Sequence, residues 1–303
     1  MGRKRADGIL HLVERSGRFF ASGESYESAG VVIVGGPMDF TASWRPGARF
    51  GPARIRAVSD ALEDFSPEAG KVLEPGCFFD LGDVMIPPGN VAAGLSRVET
   101  VIDAVVSDGK LPILLGGEHL VTLASVRAMH RLYPELTVVQ LDAHMDLRHD
   151  YLGEALSHAT VMRRVIEVVG EGNLYQCGIR SGTREEFEYA LERSTLIRED
   201  DLAMAVKRAL DLTGERPLYV TLDIDVVDPA FAPGTGTPEP GGYTSRDVLR
   251  AVRLLVGTRL VGFDLVEVAP PYDHSDMTSL LAAKIVREVV LARGCAIAPI
   301  VIE

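Results

Sequence analysis

TVVQLDAHMD, residues 137–146, decides the fold, because an apolar, β-prone run ends in three groups able to bind metal or move protons: Asp142, His144 and Asp146. In an open parallel sheet, ligands bind beyond the carboxyl ends of the strands, so a run with this ending marks both a strand and a site. Working outward, short apolar runs that end at glycine or an acidic residue recur at 31–34, 111–115, 136–141, 174–178, 217–222 and 260–265. Between them, apolar residues fall at helical spacing over 91–106, 120–132, 160–169, 184–191, 201–212, 245–256 and 275–292. Strands alternating with helices of this length predict βαβ units and a largely parallel α/β sheet, and strands apolar on both sides predict helices covering both faces. Thr244-Ser245 followed by Asp247 predicts an N-cap, and the last helix is expected to open at Ser275-Asp276 and stop at Gly294. No linker-like composition divides the chain, so a single domain over 1–303 is expected. The stretch PMDFTASWRPGARFGP, 37–52, carries the only Trp and no clear periodicity; loops this long in compact proteins are usually functional or disordered.

Composition narrows the function. With 47% hydrophobic and 24% charged residues, and 30 glycines and 17 prolines dispersed along the chain, the sequence is globular. A net charge of −12 argues against a duty on nucleic-acid phosphates, which need a concentrated basic surface. The one dense basic stretch, Arg3-Lys4-Arg5, reads as a solvated terminus. There is no apolar run long enough for a membrane span, and charges interrupt residues 6–20 where a signal segment would lie. Cys77, Cys177 and Cys295 are odd in number and far apart, and they are taken as reduced core thiols of a cytoplasmic protein.

The chemistry lies in three strand endings. Asp142, His144 and Asp146 stand at i, i+2 and i+4, which puts them on one side of an extended segment. YVTLDID, 219–225, ends a second apolar run with Asp223 and Asp225 on one face and Ile224 turned to the core. Burying carboxylates side by side is costly through repulsion and desolvation unless a cation neutralises them. LLGGEH, 114–119, ends a third run in a glycine turn that delivers His119 to the same edge. Together these supply two imidazoles and four carboxylates, too many for one ion. A donor set of nitrogen and oxygen without thiolate suits Mn²⁺ or Mg²⁺ better than structural Zn²⁺. Two ions about 3.5 to 4 Å apart would lower the pKa of bound water, which points to metal-assisted hydrolysis.

The sequence resembles the ureohydrolase family of arginases and agmatinases. The resemblance rests on GGEH at 116–119, DAHMD at 142–146, SHAT at 157–160, DIDVVDPAFAPGTG at 223–236 and EVAPPYD at 267–273, in the family's order. PMDFTASWRPGARFGPARIR, 37–56, is similar to the amino-terminal region of agmatinases. The resemblance implies a three-layer α/β/α sandwich with a mainly parallel, about eight-stranded sheet and two Mn²⁺ per chain. It implies that His119, Asp142, Asp146 and Asp223 hold one ion and Asp142, His144, Asp223 and Asp225 the other, with Asp142 and Asp223 bridging. It further implies that His158 shuttles protons to the leaving amine and that Glu267 orients the guanidinium. Asp146 could also pass a proton from the attacking water to the leaving nitrogen.

Substrate choice must come from the loops. The arginase resemblance would place an Asn where Arg148 stands, and the loop up to His158 is one residue shorter, so the groups that read an α-carboxylate are missing. EVAPPYDH and RPGARFGP are similar to agmatinases, which makes agmatine the expected substrate, with 4-guanidinobutyrate and 3-guanidinopropionate as rivals. Asp39, Trp44, Asp150, Glu154 and Tyr272 are candidates to meet a cationic tail. In a different class, a zinc deacetylase-like or non-catalytic member of the fold is the alternative. The family resemblance implies a homo-oligomer, trimer or hexamer, and the apolar tail CAIAPIVIE, 295–303, is expected to complete the sheet.

Overall fold

The computed structural model of the protein describes residues 8–20, 22–255, 257–293 and the backbone of 296–297. Nine strands form the main sheet: β1 (Val13–Glu14), β2 (Val31–Gly36), β5 (Phe78–Val84), β6 (Leu111–Gly116), β7 (Thr137–Leu141), β8 (Leu174–Cys177), β9 (Thr195–Ile197), β10 (Leu218–Asp223) and β11 (Leu260–Val266). Their order is β1-β5-β2-β6-β11-β10-β7-β8-β9. Every pairing is parallel except the two-residue edge strand β1, which runs antiparallel to β5. A small second sheet joins β3 (Phe65–Ser66), β4 (Lys71–Leu73) and β12 (Ala296–Ile297).

Among the described residues eight α-helices connect the strands: α1 (Gly51–Ser59), α2 (Val91–Ser107), α3 (Val121–Leu132), α4 (Val161–Val169), α5 (Arg184–Arg193), α6 (Leu202–Thr213), α7 (Ser245–Arg253) and α8 (Met277–Ala292). Alternate strand residues face opposite layers, as a pleated strand requires. Val32 and Val34 pack with Val98, Ile102, Leu123 and Val165 of α2, α3 and α4, whereas Val31 and Ile33 pack with Ile55, Ala205, Val248 and Ile285 of α1, α6, α7 and α8. The sheet is thus covered on both faces, the expected three-layer sandwich. Among the described residues no helix is long and apolar enough to cross a membrane.

The structure corrects several expectations. Strand β5, FFDLGDV, carries Asp80 and Asp83 in its buried middle, where they grip the buried guanidinium of Arg56 from α1: Nε lies 2.7 Å from Asp80 Oδ2 and Nη1 2.5 Å from Asp83 Oδ1. Acids inside a strand and an arginine on the core side of a helix conceal both elements from hydrophobic periodicity. Thr244 and Asp247 do form a reciprocal capping box on α7. At α8, however, Asp276 makes no side-chain cap; Asp273 does, accepting from Thr278 N and Ser279 N at 2.9 Å each. Cys77 is disulfide-bonded, so it is not the reduced thiol expected; Cys177 is free and buried. The described part of the tail, β12, pairs antiparallel with β4 and so extends the small sheet, not the main one. Arg3-Lys4-Arg5, Gly294, Cys295 and the last six residues lie outside the described chain.

Candidate metal centre

Four adjacent central strands deliver the site at their carboxyl ends: β6 leads to His119, β11 to Glu267, β10 to Asp223 and Asp225, and β7 to Asp142, His144 and Asp146. The turn after β6 is tight. Gly117 N donates to Gly36 O at 2.8 Å and Glu118 N to Met38 O at 2.6 Å, so a Cβ on Gly117 would sit 2.0 Å from Met38 O. The segment after β7 is less regular than the i, i+2, i+4 spacing suggests: His144 bridges to Ser181 and Asp146 is left-handed at φ 54°. Glu267 is also left-handed, at φ 63°, a conformation that costs a non-glycine residue about 1–3 kcal/mol and clusters at functional sites. Its backbone is fastened by Glu267 N donating to Gly117 O at 2.8 Å, and its Oε1 accepts from His119 N at 2.7 Å.

All six sequence-derived ligands converge. His119 Nδ1 lies 3.1 Å from Asp142 Oδ2, 3.1 Å from Asp146 Oδ2 and 3.4 Å from Asp223 Oδ2. His144 Nδ1 lies 2.9 Å from Asp225 Oδ2 and 3.8 Å from Asp142 Oδ1. Ligand atoms fall into two groups, His119 with Asp142 and Asp223, and Asp142 with His144 and Asp225, so Asp142 belongs to both. Asp223 belongs to the first group only.

Two observations show that these residues fit divalent cations. Buried His119 Nδ1 has no hydrogen-bond partner although three carboxylate oxygens surround it. The opposite nitrogen explains this: Nε2 lies 2.9 Å from Thr221 Oγ1, which donates to Asp264 Oδ1 at 2.6 Å. Thr221 can therefore only accept from His119, which fixes a proton on Nε2 and leaves Nδ1 facing the oxygens. Burial opposes a charge there, yet Asp142, Asp146 and Asp223 raise the imidazole well above the usual histidine value, so the pocket calls for a cation, and a metal ion would take the place of the second proton on Nδ1. Second, the carboxylates are strained as anions. Burial, followed by the charges of Asp225 and Asp146, pushes Asp142 up to about 7, and burial with Asp225 and Asp142 raises Asp223 well above the carboxylate range. Asp225 goes the other way: burial opposes its charge, but His144 beside it holds it down to about 2.

Further hydrogen bonds fix the ligands. Asp142 Oδ2 accepts from Gln140 Nε2 at 2.7 Å, Gln140 Oε1 accepts from Gln176 Nε2 at 2.8 Å, and Gln176 Oε1 accepts from Ser194 Oγ at 2.9 Å, a buried amide ladder across β7 and β8. Arg180 Nη2 donates to Asp225 O at 2.6 Å and Glu239 O at 2.7 Å, tying the turn after β10 to the 239 loop.

Four of the ligands, His119, His144, Asp146 and Asp223, floor a cavity of about 330 Å³, which His158, Glu267, Arg148, Tyr151, Ser181 and Glu186 help to line. His158 is half-buried, stacks edge-on against Tyr151 and is held below the usual histidine value by burial. Burial pushes Glu267 up to about 8. None of the five proposed tail contacts lines the cavity. Asp39 instead accepts from Gly47 N, Trp44 lies exposed beneath Arg45, Asp150 accepts from Gly153 N, Glu154 bridges to Tyr151 and Tyr272 donates to Pro46 O. The walls come from Ser43, Arg148, Tyr151, Thr237 and from Ser181, Gly182, Thr183 and Glu186, the last four following the carboxyl end of β8; that position was the signal available in the sequence.

A fold of this order, with ligands of this kind at three central strand ends and Glu267 at a fourth, is that of a metal-dependent hydrolase, and the chain belongs to the arginase family, whose profile matches residues 29–292. It is 47% identical over 275 residues to the agmatinase of Bacillus subtilis, covering 90% of this chain and 95% of that one. It is 35% identical over 267 residues to the guanidinobutyrase of Pseudomonas aeruginosa, 84% of each. The agmatine ureohydrolase of Thermoplasma volcanium superposes with a TM-score of 0.81 at 36% identity, covering 95% of this chain and 98% of the other. Within the family, relatives at 46–48% identity over 90% of this chain are agmatinases.

Proposed function

We propose that the protein hydrolyses agmatine to urea and putrescine with two Mn²⁺ per chain. One ion is assigned to His119, Asp142, Asp146 and Asp223 and the other to Asp142, His144, Asp223 and Asp225. When bound, such ions supply Lewis acidity that makes water nucleophilic at neutral pH. The observation that carries the reading is the buried, partnerless Nδ1 of His119 among three carboxylate oxygens, on the floor of a cavity that also presents His158 and Glu267.

The chain's own groups divide the remaining work. Glu267 has Oε1 committed to His119 N, which leaves Oε2 as the acceptor for a guanidinium; a cation there relieves the burial that pushes the carboxyl up. Asp146 takes a proton from the attacking water and hands it toward the nitrogen that leaves. His158, neutral at physiological pH because burial lowers it, exchanges protons with the departing amine. The agmatine assignment is supported by the greater likeness to agmatinases than to guanidinobutyrase. One observation favours a guanidino acid: Arg148 lines the cavity, where a carboxylate tail could meet it. Glu186, with Oε2 3.7 Å from Arg148 Nε, offsets that charge. The family resemblance supports a homo-oligomer.

Urea release by Mn²⁺-loaded protein, measured in parallel on agmatine, arginine, 4-guanidinobutyrate and 3-guanidinopropionate with a chelated control, tests the proposal. Chelator-sensitive turnover of agmatine alone is expected. Turnover of a guanidino acid instead would overturn the substrate, and one metal per chain with no urea from any of the four would overturn the reaction.

A further inference from the structure

Glu118 and His119 are neighbours that face opposite ways. His119 turns to the metal centre, whereas Glu118, fully buried, turns to the amino-terminal loop. There its Oε2 accepts from Thr41 N at 2.7 Å and from Thr41 Oγ1 at 2.8 Å. Thr41 in turn reaches the loop that carries His158. Its Oγ1 accepts from His158 N at 3.0 Å and lies 3.3 Å from His158 Nδ1. The close packing of Gly117 against Met38 sets this register, since it fixes the path of residues 38–41 relative to the turn.

The direction of these bonds has a consequence for the imidazole. The single hydroxyl proton of Thr41 is committed to Glu118, so Oγ1 offers only lone pairs to His158. Ser157 Oγ is also 3.3 Å from Nδ1, and a serine can donate or accept. A proton on Nδ1 satisfies both contacts, whereas a bare Nδ1 would oppose lone pair to lone pair at Thr41. We infer that Glu118 and Thr41 are positioning residues for His158: they hold its loop against the amino-terminal segment and keep Nδ1 protonated, so that Nε2 is the atom presented to the leaving amine. The inference rests on the proton-transfer role proposed for His158. It also gives part of the unassigned stretch 37–52 a function: Ser43 lines the cavity itself, and Thr41 ties the stretch to the His158 loop.

The test uses the full-length, metal-loaded chain and the variants Thr41→Val, Thr41→Ser and His158→Asn. Proton transfer by a placed side chain contributes roughly 10²- to 10⁴-fold. A mispositioned imidazole should therefore lower kcat for agmatine in Thr41→Val by about 10- to 100-fold. KM and metal content should stay near wild type, and Thr41→Ser should restore most of the loss. Independently of any variant, imidazole ¹⁵N shifts in the Mg²⁺-loaded, diamagnetic protein, with His158 assigned by its absence from His158→Asn, should report Nδ1–H and bare Nε2. Wild-type kcat in Thr41→Val alongside an inactive His158→Asn, or a His158 protonated on Nε2, would overturn the inference and leave the role of His158 intact. Full turnover in His158→Asn would overturn that role, and the inference with it.

Discussion

Thr221→Val removes one hydroxyl from behind the metal centre and changes little else in shape. In the wild type, Thr221 Oγ1 accepts from His119 Nε2 at 2.9 Å and donates to Asp264 Oδ1 at 2.6 Å, while Tyr219 OH donates to Asp264 Oδ2 at 2.6 Å. All four side chains are buried. The substitution leaves His119 Nε2–H without its acceptor and removes one of the hydroxyls that bond to Asp264, which keeps Tyr219 and Thr122. At about 1–3 kcal/mol for the one buried group left unsatisfied, His119 Nε2–H, the metal-free protein should lose roughly 1–3 kcal/mol of stability. The metal should suffer separately, because the hydrogen bond at Nε2 is what keeps the Nδ1 lone pair aimed at the ion; loss of such an outer partner typically weakens affinity about 10- to 100-fold. Urea unfolding reads the first quantity, and titration of Mn²⁺ followed by the EPR signal of the free aqua ion reads the second. Thr221→Ser should approach wild type in both. If Thr221→Val bound Mn²⁺ within about twofold of wild type, the account of His119's tautomer would be wrong.

Three other outcomes are expected. Arg56→Met should strand the buried Asp80 and Asp83, destabilising the protein by about 3–5 kcal/mol in urea unfolding, and wild-type stability would show that the ion pairs are dispensable. Gly117→Ala should cost at least about 1–3 kcal/mol and most of the urea-forming activity, because its new Cβ meets the Met38 backbone with nothing flexible to yield; an active, equally stable variant would refute the tight register. Burial pushes the Cys177 thiol up to about 12, so a disulfide reagent at pH 8 should leave it unmodified in native protein and label it after denaturation. Because the folded value is raised, this thiol's contribution to stability is complete below its unfolded value near 9 and is lost as pH climbs from there toward about 12.

Much of the site was legible because its residues sit where a parallel sheet places ligands, at apolar runs ending in acids or histidine. That rule reached His119, Asp142, His144, Asp146, Asp223 and Asp225 without any knowledge of strand order. It could not reach Thr41, Glu186 or the amide ladder from Gln140 to Ser194, whose roles exist only through partners remote in sequence. β5 and α1 escaped for a physical reason: Arg56, Asp80 and Asp83 satisfy one another inside, so hydrophobic periodicity fails in both elements at once. The cap of α8 escaped because Asp273 reaches it from three residues before the position that spacing favours. The tail contacts were misjudged because Asp39, Trp44 and Tyr272 lie in loops whose direction no local pattern encodes.

The strand order β6-β11-β10-β7 also bears on how the protein comes into being. The neighbours that hold the ions are scattered along the chain: His119 follows β6, the next three ligands follow β7, Asp223 and Asp225 arrive some eighty residues later, and β11, which separates β6 from β10, is made after all of them. During synthesis a chain that ends before β11 therefore has its ligands but lacks the strand that spaces them. Parallel pairings between such distant segments form slowly, since loop closure precedes their reward. The ligand set therefore takes its folded spacing only once the chain has been made through β11, the strand that enters the middle of the sheet.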